Sequence, residues 1–126
     1  MAAVTAQDFQ NVMHITTSVT ALEYVLDLAI DMLNIYGASL SNMSGGPPKT
    51  VTLTSKQRGG VFVIAREVYE KFYKDSATAT GFGMSITVID LLRDTAFVEL
   101  CETIGKKLTA GTDIPFVIAE DTSGIS

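Results

Sequence analysis

The chain has 126 residues, 47 % of them apolar and 18 % charged, with a net charge of −5 and an isoelectric point near 4.6. That length fits one domain, able to bury roughly two-thirds of the surface its unfolded form exposes; the acidic balance argues against a free-standing, sequence-reading nucleic-acid binder, which would be basic. The charged share lies below the ~25 % usual for soluble domains, so more surface is expected to be covered than one copy covers by itself.

The opening residues, MAAVTAQDFQ, carry neither a basic region nor an apolar core and do not read as a signal peptide. No window holds ~18 uninterrupted apolar residues, so no membrane span is expected. Thr5 can cap a short helix and Asp8 complements its dipole; Phe9, Val12, Met13 and Ile15 form its apolar side. Thr16, Thr17 and Ser18 then interrupt it.

Thr20-Ala-Leu-Glu23 has the form of a capping box and predicts a helix from about Ala21 to Tyr36, with Gly37 at the usual terminating position. Leu22, Val25, Leu26, Ala29, Leu33 and Tyr36 make one apolar stripe; Tyr24, Leu28, Met32 and Ile35 make a second. Only Glu23, Asp27, Asp31 and Asn34 form a polar line. A helix at a monomer surface shows one apolar stripe. This helix is therefore expected either at the centre of a bundle or against another subunit, with Tyr24, Leu28, Met32 and Ile35 as the candidate subunit interface.

Residues 38–54 read as a long loop, because Gly45-Gly46-Pro47-Pro48 excludes helix and central strand. Within it, Val51–Thr54 alternates as a short edge strand would. Thr54-Ser-Lys-Gln57 is a second capping-box pattern and opens a helix reaching about Lys74. Val61, Ala65, Val68 and Phe72 lie on one face, broadened by Phe62, Tyr69 and Tyr73. Gly59-Gly60 weakens its first turns and would permit close approach by another element. Residues 75–83 form a second connection. Ser85–Arg93 reads as a short helix with Ile86, Ile89 and Leu92 inward. Asp94 or Thr95 caps a last helix to about Leu108, in which Phe97, Leu100, Cys101, Ile104 and Leu108 recur at three or four residues. After Gly111 comes an apolar stretch, Ile114–Ala119. An extended segment cannot satisfy its own backbone groups, so it folds back onto its own chain or reaches something outside. The residues thus read as mainly α: a small helical bundle (1–111) with a long loop between its two main helices and an extended C-terminal arm (112–126).

Catalytic chemistry is not evident. With one histidine, His14, and one cysteine, Cys101, neither a disulfide, a zinc site nor a Ser/His/Asp triad is expected. Gly81-Phe82-Gly83 and Gly59-Gly60 lack phosphate-cradling patterns. Glu23, Asp27 and Asp31 share a helix face and could bind a cation or run acid–base chemistry; such a row is more often the wet side of a helix. Lys49, Lys56 and Arg58 surround the loop and the following helix start, either as a patch for phosphates or as solvated charges. No cofactor is expected, and the chain does not read as an enzyme.

The order of elements resembles the small head–tail connector (adaptor) proteins of tailed bacteriophages and their archaeal counterparts. A short helix precedes a long one like TALEYVLDLAIDMLNIYG, a second long helix follows like TSKQRGGVFVIAREVYEKFY, and shorter helices and an arm complete the chain. The resemblance covers most of residues 5–108 and rests on this pattern. It implies a virion protein of the neck, made in the host cytoplasm, in a homo-oligomeric ring of about twelve copies closed by head-to-tail contacts. DNA would pass through the ring non-specifically, and no membrane is involved. Ile114, Pro115, Phe116, Val117 and Ile118 would dock on the portal protein, and other surfaces would receive a stopper or tail protein. The loop at Gly45–Val51, with Lys49, Lys56 and Arg58, would face the DNA conduit or a neighbour. A small homodimeric helical regulatory or interaction module accounts for the apolar helix equally well.

Overall fold

Each helix starts where a short polar side chain closes its first turn. The computed structural model describes residues 2–15, 17–73 and 87–110. It is mainly helical, with one small sheet. Strand β1 (Ala2–Thr5) leads into helix α1 (Ala6–Met13). There the Asp8 N–H donates to Thr5 Oγ1 at 3.2 Å and the Thr5 N–H to Asp8 Oδ2 at 2.9 Å, the reciprocal capping that satisfies two orphan donors. Helix α2 spans Val19–Ile35. Strand β2 (Thr50–Leu53) precedes α3 (Ser55–Val68), which continues into a π-helical turn over Tyr69–Tyr73. Thr54 and Gln57 cap α3 reciprocally, as the sequence predicts. Short α4 (Val88–Leu92) is capped by Asp90, which accepts from the Thr87 N–H and hydroxyl. In α5 (Thr95–Ala110), Asp94 accepts from the Phe97 N–H at 2.9 Å.

Helix α2 is the axis of the bundle. It packs against α1, α3, α4 and α5, while α3 and α5 also pack on each other. Of the two expectations for this helix, the central position holds. Leu22, Val25, Leu26, Ala29, Ile30 and Leu33 are all buried, together with Phe9, Ile64, Val68, Phe97 and Cys101. Edge-to-face ring pairs, Phe9 with Phe62 and Phe72 with Phe97, tie α1 to α3 and the π-turn to α5.

The start of α2 differs from the sequence reading. Ser18, not Thr20, is the N-cap: Ser18 Oγ accepts from the Ala21 N–H, which brings Val19 into the helix and against the core. Glu23 is not the return partner of a capping box, because its carboxylate is engaged by the loop. At the other end Gly37, with φ +94°, closes the helix as expected. Its N–H donates to the Asn34 carbonyl and the Ala38 N–H to the Leu33 carbonyl, a two-bond termination that needs a left-handed residue. Helix α4 is also turned relative to expectation. Leu91 is the buried residue, whereas Ile89 and Leu92 are 63 % and 43 % exposed; Ile86 lies outside the described residues. The short helix packs through Leu91 and Val88, and that phase leaves Ile89 and Leu92 outward.

β1 and β2 pair antiparallel, with Val4 opposite Val51 and Ala3 opposite Thr52. The expected edge strand at 51–54 is thus present, one residue earlier, with AAVT as its partner. Thr50 exchanges both backbone hydrogen bonds with Ser44, 2.9 Å each, on the side away from β1. The C-terminal arm and the domain division at 111/112 lie outside the described residues.

Helix–helix spacing depends on two glycines. A Cβ on Gly60 would sit 3.0 Å from Ile104 Cγ2, so the close approach foreseen for this pair is made by α5. A Cβ on Gly105 would sit 2.8 Å from Tyr36 Cβ and 3.3 Å from the Leu33 carbonyl oxygen, both on rigid parts of α2 and its cap. Alanine favours a helix over glycine by ~1 kcal/mol, yet this clash outweighs that gain. Gly105→Ala is expected to lower stability in urea unfolding by about 1–3 kcal/mol; a gain in stability would contradict the packing.

Candidate functional site

The polar line of α2 and the loop after it form the most extensive polar arrangement among the described residues. Four side chains at successive helical turns hold the loop. The Lys49 N–H donates to Glu23 Oε2 at 3.1 Å. The Met43 N–H donates to Asp27 Oδ1 at 2.9 Å. Asn42 Nδ2 donates to Asp31 Oδ1 at 2.9 Å and to Asp27 Oδ1 at 3.3 Å. Asn34 both accepts from the Leu40 N–H, 2.6 Å, and donates to the Leu40 carbonyl, 2.9 Å. Between these anchors Leu40 and Met43 enter the core. The row is therefore not a simple wet face: it supplies the acceptors that an irregular backbone needs. The sequence showed the row; the loop donors opposite it, above all Asn42 and the Met43 amide, carried no local signal.

The expected subunit interface is redistributed. Leu28 is 5 % exposed and Met32 is fully buried inside the same chain, so neither is open to another subunit while the fold is intact. Both point into the bundle because α2 is enclosed by its own neighbours. Tyr24 is half-buried; burial first, and the nearby Asp90 carboxylate second, push its phenol above its usual pKa. Ile35 is 50 % exposed and remains available.

The basic residues are exposed or partly so, and no described contact joins them into one patch. Lys49 closes the loop through its backbone. The Arg58 guanidinium lies over the Phe62 ring, 4.9 Å from its centre. Lys56 sits in the first turn of α3. The loop tip, from Ser44 to Thr50, is exposed but tied at its base by the Ser44–Thr50 bridge. The portal-arm residues Ile114, Pro115, Phe116, Val117 and Ile118 lie outside the described residues.

No group of three or more metal-ligating side chains converges among the described residues. His14 is an exposed helix terminator with φ 55°, apart from Cys101. The Cys101 thiol is buried and desolvation pushes its pKa up to about 12. No described helix is long and apolar enough to cross a membrane. The chain matches no protein-family model, and comparison with curated proteins and with solved structures finds no match.

Two outcomes test this geometry. Asp27→Ala leaves the Met43 amide without its acceptor and should cost about 1–3 kcal/mol in urea unfolding, with faster proteolysis between residues 38 and 49; unchanged stability and cleavage would contradict the clamp. Cys101 stays neutral in the folded chain and ionises on unfolding near its ordinary pKa of ~8.5. Its contribution is therefore complete below that pH and declines as pH rises towards 12. At pH 8 a thiol reagent should label it only as fast as the protein opens.

Proposed function

We propose that the chain is a structural virion protein of the head–tail connector kind, forming a ring beneath the portal through which DNA passes. The observation that carries this reading is the order of its elements: a short helix, a long central helix, a long loop, a second long helix, a short helix, a last helix, and then an apolar segment. That order coincides with the one that the resemblance implies. In this reading Leu28 and Met32 serve each copy's own core. Contacts between copies use apolar side chains left exposed after folding: Val12, Ile35, Ile89 and Leu92. The clamped loop presents a fixed tip carrying Lys49 to the lumen or to the next ring. Ile114–Ile118 docks on the portal by strand addition, where main-chain bonds supply affinity and alternate side chains fill pockets. An acidic conduit lets DNA slide, since repulsion opposes phosphate binding.

Native mass spectrometry of the full chain, alone and with purified portal protein, tests the proposal. A ring-sized assembly, or a portal complex weakened at least about tenfold by Phe116→Asp, is expected. A monomer that ignores the portal would overturn it, and a discrete two-subunit particle would favour a homodimeric interaction module instead.

A further inference from the structure

The small sheet has an edge that its own two strands leave unused. In an antiparallel pair, directly opposed residues alternate between exchanging both backbone bonds and exchanging none. Thr50 directs its N–H and carbonyl to Ser44, away from β1. Thr5 and Thr50 are therefore a non-bonded pair; Val4 and Val51 are bonded, and Ala3 and Thr52 are not. The N–H and carbonyl of Ala3 thus point out along the free side of β1, and among the described residues nothing bonds them. The Thr5 N–H on that side is taken by Asp8. The outer side of β2 is less open, because the Ser44–Thr50 bridge carries the clamped loop alongside it. Proteins blunt an exposed edge with a lysine, a proline or a bulge. Ala2–Thr5 carries none of these, its register with β2 is unbroken, and Ala2 and Ala3 are exposed. Beside the edge lies an open pocket of about 380 Å³. Asp8 stands at its Thr5 end; Ser55 and Arg58 stand at its Ala2 end, since α3 begins two residues after Leu53, the partner of Ala2. The Arg58 guanidinium lies over Phe62 and, among the described residues, pairs with no carboxylate.

We propose that this edge pairs two copies of the chain, β1 antiparallel to β1 about a two-fold axis at Ala3. Two properties select a second copy as the occupant. First, the backbone is self-complementary. With Ala3 opposite Ala3, each N–H donates to the other copy's carbonyl, so both outward groups of each residue are satisfied and no further donor is needed. Second, the charges are self-complementary. Reversing the strand direction brings the Asp8 end of each copy to the Arg58 end of the other, which makes two ion pairs by symmetry. A parallel strand of the same sequence would set like charge against like. The small side chains of Ala2 and Ala3 leave the approach clear. A two-fold contact closes on itself. It therefore makes a pair and stops, and it does not depend on the connector reading, whose ring uses head-to-tail contacts elsewhere. Two backbone bonds and two ion pairs at the surface make a weak contact, with a Kd on the order of 1 mM. The pair is sparse at micromolar protein, where it neither mimics a ring-sized particle nor alters exchange from α2. It fills where copies are held close together.

Amide NMR of the full chain, from about 0.05 to about 2 mM, tests it across the expected Kd. The Ala3 amide signal should move with concentration along one binding curve, while amides inside the bundle stay in place. Ala3→Pro removes the outward N–H and no bond of the β1–β2 ladder, and should raise the Kd at least about tenfold. Arg58→Asp alone and Asp8→Arg alone should each weaken pairing similarly. An equal mixture of those two variants should return to within about threefold of the natural chain, because both ion pairs re-form with their signs exchanged. Unchanged α2 amide signals show that the bundle stays folded in each variant. An Ala3 amide that ignores concentration would overturn the proposal, as would a Kd unmoved by Ala3→Pro or a mixture no tighter than its components. An Ala3 amide equally protected from exchange at every concentration would overturn it too, since a segment of the same copy would then hold the edge.

Discussion

A helix that is apolar on most of its circumference can be enclosed by a small domain only if its remaining polar line also finds partners. In α2 those partners are backbone groups of the loop that follows it. Glu23, Asp27, Asp31 and Asn34 take up Lys49, Asn42, Met43 and Leu40 in turn. The loop is long because it must run back along the helix to reach them. It can stay irregular because its buried amides are satisfied by side chains instead of by a ladder. Once it is laid down, Leu40 and Met43 complete the core, and Ser44 meets Thr50 to start the sheet.

Much of this was legible in the residues. The caps at Thr5 and Thr54 were readable because a short polar side chain at the start of a periodic run is a local signal, and Asp94 was one of two candidates, with Thr95, for the last cap. The Gly37 termination and the inward faces of α3 and α5 were readable too. The failures involve partners distant in sequence. Thr20 and Glu23 make a plausible capping box until Lys49, far along the chain, claims the glutamate. AAVT is too short and too small to announce a strand, and becomes one only because β2 pairs with it. The phase of α4 could not be read from five residues whose outward and inward positions are both apolar.

The site-level lesson is similar. Tyr24, Leu28, Met32 and Ile35 look equivalent on a helical wheel, and an apolar wheel alone does not say whether a neighbouring helix or a neighbouring molecule covers it. The fold divides them: Leu28 and Met32 belong to the core, Tyr24 is half-covered, and Ile35 stays outside. Among the described residues the large apolar side chains left exposed are Val12, Ile35, Ile89 and Leu92, so most of the apolar circumference of α2 is spent on its own chain's core.

The central claim is that one copy of the chain encloses α2 without help. Amide exchange of α2 across a hundredfold range of protein concentration tests it most directly. If the claim holds, the amides from Leu22 to Leu33 exchange only through global unfolding, at rates independent of concentration. Protection of those amides that rises with concentration would show that a second molecule completes the helix's burial, and would contradict the account.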